Sequence, residues 1–424
     1  VSGGSSKRGY RKDRTPALPR INRRPRDPAR KSTAVQRIYF AVFGSGLGHA
    51  TRALDIARCV TASGDGIRYS CSGQGLRYIR THEPRADAVE CPALDVEWTE
   101  EGSFSGRDFM VHFPQMFRSF SRQVAFEADS IGKFGPSVVA SDSRLSAVLA
   151  ARSRSRPVIT MLNQFKVTLP PRYGGDALGR VYERIAGDVL GLMWSLSEHV
   201  LLTDLPPPYT IGEANVAGTD LSRIVEYVGF TSPGLEVGED KLRKAREVLG
   251  FDRRPLVFFQ ISGPDATKGR FIDIVLRSVG ALSSRYKVVV SMGYLGGSAE
   301  PRRIADGGLL YDWCPIKDEL FALSAVMVGR SGHRTIGQCI DAGKPAVLVP
   351  IHNHSEQLGN AEKFQSLGLG IAISPGDLQP ERLTAAVDAC ISDPTYGKNL
   401  ESIRLISKRY RGVEKCAEVI RSYS

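Results

Sequence analysis

No stretch of this chain supplies the roughly 18 apolar residues that a membrane-crossing helix needs. The nearest, 185–202, is broken by Asp188, Glu198 and His199. The N-terminal segment also lacks the apolar core of a secretory leader, so the sequence reads as cytoplasmic, with contact at the inner face of a membrane kept as a variant. The seven cysteines never form a Cys-x-x-Cys pair, which excludes a zinc ribbon and a secreted disulfide framework. His352 and His354 stand too close in sequence, and His333 too isolated, to build a familiar metal-ligand spacing. No metal and no other cofactor is expected. A P-loop is missing as well, since His49 and Ala50 stand where Gly and Lys would follow Gly44.

The body of the chain also lacks net charge. Residues 1–37 hold 12 Lys or Arg against Asp13 and Asp27, so +10 of the formal +12 sits in that segment. The remainder is nearly neutral, which argues against a nucleic-acid surface on the folded part. The segment is rich in Arg, Pro and Ser and nearly devoid of aromatics, so 1–36 is expected to be a disordered basic tail. Such a tail holds anionic lipid or RNA at roughly 1 kcal/mol per basic residue, or is a solvated extension.

What is present begins with GSGLGHAT at 44–51, directly after the apolar run 38–43. Gly44, Gly46 and Gly48 alternate, whereas the dinucleotide fingerprint needs Gly-x-Gly-x-x-Gly and an acidic residue about 20 positions on. Ala50, Ala53, Leu54 and Ala57 fall at i, i+3, i+4 and i+7, which predicts a helix over 50–63. His49 then stands at the mouth of a strand-to-helix turn, where α/β sheets present their ligands. A structural or solvent-facing histidine is the plain alternative.

From Arg37 onward short β-rich runs alternate with helical periodicity. Strands are expected at 38–43, 67–71, 137–140, 157–161 and 199–203, with helices at 50–63 and 143–153. The prolines 206–208 and the run Val225–Phe230 mark a junction. A second series follows at 256–261, 287–292, 309–311, 325–328, 346–349 and 370–373. The simplest architecture is a pair of doubly wound α/β halves facing a cleft, 37–230 and 231–398, with a final helical stretch, 399–424, packing across both.

The densest chemical signals lie in the second half. Val328-Gly329-Arg330-Ser331-Gly332 turns from a buried strand into a helix whose N-terminal N–H groups, with Arg330 and Thr335, suit a diphosphate. Ser262 and Gly263 form a similar turn, with Lys268 just beyond. Upstream, the Trp313 indole is suited to stack on a nucleobase; downstream, Glu356 and Gln357 offer acceptors and donors to sugar hydroxyls. Base platform, phosphate turn and sugar pair together describe a nucleotide-sugar site. Each has an ordinary counterpart: core for Trp313, a common turn for Arg330 and its neighbours, a surface loop for Glu356. Asp142, at the end of the run 137–142, is placed either to serve His49 or to cap the following helix.

From about Arg37 to its end the chain resembles GT-B glycosyltransferases, and is similar to family 28 and the UDP-glycosyltransferase group. Trp313-Cys314-Pro315, Arg330-Ser331-Gly332 and Glu356-Gln357 resemble the donor signature of those enzymes, and GSGLGHAT their N-terminal glycine loop with Gly46, Gly48 and His49. The resemblance implies a GT-B fold and a nucleotide-diphosphate sugar donor, UDP-linked in most relatives, held by the C-terminal domain. It implies a hydroxyl acceptor, lipid or glycolipid among the candidates, held by the N-terminal domain, and inversion without a bound metal. His49 would be the base, Asp142 its orienting partner, and Gln338 the ribose contact. Gln338 stands where the family carries Glu, and Ile316 where the UDP-sugar enzymes carry Gln.

Met116, Phe117 and Phe120, with Phe109 and Phe113, form a helical apolar stripe flanked by Arg118 and Arg122. It is either core or a lip that receives a lipid chain. Rival functions remain: a nucleotide-sugar 2-epimerase on the same fold, a non-catalytic nucleotide-sugar-binding subunit, and an RNA-binding protein acting through its tail.

Overall fold

The computed structural model describes residues 36–61, 66–94, 106–165, 187, 189–216, 224–232, 237–250 and 252–424, with backbone alone for 106–113 and 306. The expected basic tail therefore lies outside the described residues, except for Gln36. Strands β1 (Arg37–Val42), β2 (Gly66–Cys71), β3 (Asp87–Glu90), β4 (Val138–Asp142), β5 (Val158–Leu162), β6 (His199–Leu202) and β7 (Val225–Tyr227) form one sheet. Its order is β3-β2-β1-β4-β5-β6-β7 and every pairing is parallel. Helices cover both faces, so β1 is apolar after Arg37: Ile38, Phe40 and Val42 enter one core, Tyr39 and Ala41 the other.

The second sheet contains β8 (Leu256–Gln260), β9 (Lys287–Ser291), β10 (Arg302–Ile304), β11 (Gly308–Tyr311), β12 (Ser324–Gly329), β13 (Ala346–Leu348) and β14 (Gly370–Ala372). Its order is β10-β11-β9-β8-β12-β13-β14, with β10 alone antiparallel. The two halves thus repeat one winding, and each reverses its strand order once, between β1 and β4 and between β8 and β12. Ligands of such sheets bind at the carboxyl ends of the strands flanking that reversal. Asp142 closes β4 and Gly329 closes β12.

The expected strands are all present within a residue or two of their ends. β3 and β10, which the sequence did not suggest, are short sheet-edge strands carrying Asp87 and Glu90, and Arg302 and Arg303. Edge strands tolerate charge because one side is unpaired, and that erases the apolar signal. Pro114 lies inside the long helix Gly106–Phe134, which contains the predicted apolar stripe. Among the described residues no helix is long and apolar enough to cross a membrane.

The expected terminal helix is two helices, Pro394–Ser407 and Gly412–Arg421. The first packs on the second half; the second returns to the first half, placing Val413, Cys416, Ala417 and Ile420 among Ala50, Ala53 and Ala57. Glycines make that crossing. A Cβ on Gly412 would lie 2.4 Å from the Phe230 carbonyl oxygen, and one on Gly229, at φ +85°, would lie 2.3 Å from Tyr410 Cβ. The helix breaks where the chain must pass this close to another backbone. Gly412→Ala is therefore expected to lower stability by about 1–3 kcal/mol, read as a shift of the urea midpoint with unchanged slope. An unchanged midpoint would mean that the crossing has slack.

Candidate active site in the cleft

The first wall of the cleft is built where β1 runs into the glycine turn. A Cβ on Gly44 would come within 2.4 Å of the Ser72 carbonyl oxygen, and Gly46 has φ +77°. These two glycines thus serve close packing of neighbouring turns and a left-handed backbone. The helix Gly48–Val60 starts immediately after and raises His49 over the end of β4. His49 Nδ1 lies 2.7 Å from Asp142 Oδ1, and the Phe43 ring meets the imidazole edge-on at 5.3 Å. The imidazole is partly exposed, whereas Asp142 is fully buried.

A residue that sequence reasoning missed completes this group. Arg52, one helical turn beyond His49, is buried and donates from Nε to Asp142 Oδ2 at 2.7 Å and from Nη2 to Asp142 Oδ1. Its Nη1 donates to Asn163 Oδ1 at 2.5 Å and Thr203 Oγ1 at 2.8 Å, tying together the ends of β5 and β6. The signal was an arginine at i+3 from His49 on the helix face that holds Ala53 and Ala57. Burial alone would raise the Asp142 pKa, but Arg52 and His49 reverse that and hold it at about 2.

The second wall differs from expectation in one respect. Arg330, expected at a phosphate, is turned inward: it donates to the carbonyls of Val349 (3.2 Å), Pro350 (3.0 Å) and Thr267 (2.7 Å), and its guanidinium lies 4.5 Å over the Phe271 ring. Burial pushes its pKa down to about 10. It joins three loops instead of facing the cleft. Ser331 Oγ likewise donates to the Gln357 carbonyl at 2.7 Å, and the Gln357 side-chain oxygen accepts from Ile351 N at 3.1 Å. These residues shape the turn through their side chains. Gly332 caps the helix His333–Ala342 with open space at its Cα and Thr335 nearby; Ser262 is half-buried beside Gly263, whose φ is +108°. Lys268 is buried against Asp265 and Gly293, under the ring of Tyr294.

The walls meet through specific contacts. Arg334 Nη2 reaches Asp55 Oδ2 at 2.8 Å, and Lys363 Nζ reaches Glu213 Oε2 at 2.5 Å. Trp313 faces the stacked pair Tyr78 and His82 of the first half, with ring centroids 6.4 and 6.5 Å away. Gln338 lines a cleft of about 350 Å³ with Thr51, Asp55, Tyr78 and Lys317. Glu356 is half-buried in the first turn of the helix Ser355–Ser366. The structure thus brings His49 and Asp142 together and sets Trp313 and Gln338 along the seam between the halves. Among the described residues no three His, Cys, Asp or Glu side chains converge as metal ligands.

Residues 268–415 match the glycosyltransferase family 28 C-terminal domain. Over 359 residues the chain is 26% identical to an uncharacterized glycosyltransferase of Methanopyrus kandleri, covering 83% of this chain and 94% of that protein. An uncharacterized glycosyltransferase of Methanosarcina mazei is 24% identical over 383 residues, 85% of this chain and 92% of its own length. This chain is a glycosyltransferase. It is related to family 28, and solved structures share its fold: the calicheamicin glycosyltransferase CalG4 superposes with a TM-score of 0.65 at 15% identity, covering 92% of this chain and 98% of that one. The glycotransferase of kitacinnamycin gives 0.64 at 18%, covering 92% and 99%. The glycosyltransferase therefore has the GT-B architecture, two Rossmann-like halves with a cleft between.

Asp142 links this site to stability. With its pKa held at about 2 instead of 3.8, the carboxylate contributes about 2 kcal/mol that is fully present above the higher value and is lost as pH falls through about 2. Asp142→Ala leaves Arg52 buried without its partner and should cost about 3–5 kcal/mol at neutral pH. Urea denaturation of both proteins from pH 6 downward checks this: the gap should narrow with acid, and a constant gap would remove the linkage.

Proposed function

We propose that this glycosyltransferase moves a sugar from a nucleotide-diphosphate donor to a hydroxyl acceptor with inversion and without a bound metal. Residues 37–230 hold the acceptor and 231–398 the donor. The observation that carries this reading is the 2.7 Å contact of His49 Nδ1 with Asp142, at the strand reversal of the first sheet. Nδ1 is engaged, so Nε2 is the nitrogen left for the acceptor.

In this mechanism the acceptor oxygen attacks the anomeric carbon as its proton passes to His49 Nε2. The bond from that carbon to the diphosphate oxygen breaks on the opposite face, and its electron pair leaves with the diphosphate. A glycoside and a nucleoside diphosphate form; the imidazolium, stabilised by Asp142, returns its proton to solvent. Negative charge on the departing group meets the N–H groups at the Gly332 turn, with the Thr335 and Ser262 hydroxyls beside them. Trp313 supports the base, Gln338 the ribose, and Glu356 and Gln357 the sugar.

A UDP-sugar is the first donor to test. Over 101 residues, 23% of this chain and 27% of the relative, the chain is 31% identical to a UDP-N-acetylglucosamine--N-acetylmuramyl-(pentapeptide) pyrophosphoryl-undecaprenol N-acetylglucosamine transferase of Methylobacterium radiotolerans. A lipid-linked acceptor at the cytoplasmic face of a membrane suits the same reading. Phe117 is 63% exposed beside the exposed Arg118 and Arg122, while Met116 and Phe120 are half-buried; the side chains of Phe109 and Phe113 lie outside the described residues. We expect one nucleoside diphosphate of a UDP, GDP, ADP, CDP and dTDP panel to stabilise the protein by about 2.7 kcal/mol at a hundred times its Kd. With that donor, His49→Ala should lower turnover about 10²–10⁴-fold while nucleotide binding stays unchanged. Full turnover in His49→Ala would sink the mechanism; conversion of the donor sugar with no acceptor present would favour an epimerase.

A further inference from the structure

We propose that Arg52 is a positioning residue of the transfer, a clamp on both oxygens of Asp142 that holds His49 in the Nδ1–H tautomer with Nε2 as its basic nitrogen. The inference rests on the reading of His49 as the base. Its grounds are geometric. A carboxylate oxygen 2.7 Å from Nδ1 requires a proton between the two atoms, because both would otherwise offer lone pairs. Arg52 Nη2, 3.1 Å from the same Nδ1, brings only N–H groups, so its approach is that of a second donor converging on Asp142 Oδ1. Among the described residues no hydrogen-bond partner reaches Nε2.

The clamp is rigid because the guanidinium has no freedom left. Nε and Nη2 grip Asp142 in a fork, and Nη1 is held by Asn163 Oδ1 and Thr203 Oγ1. A carboxylate held at both oxygens has no second rotamer to offer His49, so the imidazole has one orientation to adopt. The same fork places a fixed positive charge beside the ring. Asp142 is its counter-charge, and the thiols of Cys416, on the helix Gly412–Arg421, and of Cys71, at the end of β2, are pushed up to about 12 by burial. The cation next to His49 is therefore Arg52, opposed by Asp142.

Lysine at this position keeps the charge but cannot reproduce the fork. The test is histidine-selective ¹⁵N labelling of the full chain, with His49 assigned by its absence in His49→Ala, and the tautomer of the neutral ring compared between wild type, Arg52→Lys and Arg52→Gln. Wild type should give the Nδ1–H signature alone. In Arg52→Gln the single tautomer should give way to a mixture, since Asp142, freed from the fork, has a second rotamer to offer the ring. Arg52→Lys, which keeps the charge without the fork, should likewise show mixed tautomers. With the donor identified by the nucleotide panel, both variants should lower kcat about 10–100-fold with KM within about twofold, the pattern of a lost orientation. If either variant fails to fold, Asn163→Ala, which removes one of the two partners of Nη1 and leaves Thr203, should still give mixed tautomers and a lower kcat.

A single Nδ1–H tautomer retained in the folded variants overturns the proposal, as does a wild type whose neutral imidazole carries its proton on Nε2. Loss of turnover in His49→Ala with full turnover in Arg52→Gln would overturn the role of Arg52 and leave the base in place. Full turnover in His49→Ala would instead remove the mechanism on which the proposal stands.

Discussion

One buried carboxylate governs this molecule. Asp142 ends the central strand β4 with no exposure to water, and a lone charge there would be intolerable; Arg52 makes it tolerable and His49 uses what is left of its hydrogen-bonding capacity. Because Arg52 also grips Asn163 and Thr203, the ends of β4, β5 and β6 are fixed to the helix that follows the glycine turn. The position of the imidazole is a consequence of how a buried charge was neutralised. Structural stability and chemical orientation are the same set of bonds.

The second half answers with a different economy. Its turn after β12 looks in sequence like a phosphate cradle lined by Arg330 and Ser331, yet both side chains point into the protein and brace the loops after β8 and β13. What they leave at the surface is backbone: the Gly332 turn and the start of a ten-residue helix. Such bracing fixes the turn, so its backbone N–H groups do not move toward other partners. Between the halves the Arg334–Asp55 pair and the aromatic contact of Trp313 with Tyr78 and His82 set the spacing of the cleft. The returning helix Gly412–Arg421 ties the halves a second time, from behind.

Much of this was legible without coordinates. Repeated apolar runs of five or six residues, separated by helical periodicity, dictated two parallel sheets, because strands buried on both faces leave no alternation to misread. The edge strands β3 and β10 escaped for the opposite reason. His49 and Asp142 were legible as the ends of such runs. Arg52 was not, since one arginine on a helix ordinarily faces water, and only the packing of β4, β5 and β6 around it makes it an interior residue.

The sequence by itself therefore determined the two series of alternating strands and helices and the residues that stand at the ends of those strands, while the strand order and its reversals came from the structure. The series and their ends depend on local periodicity and on glycines that a turn requires. The tertiary structure alone decided which side chains turn inward and which toward the cleft: Arg330 to three carbonyls, Arg52 to Asp142, the terminal helix back to the first half. Such choices depend on partners up to hundreds of residues away, and on whether a polar group finds one before it is cut off from water.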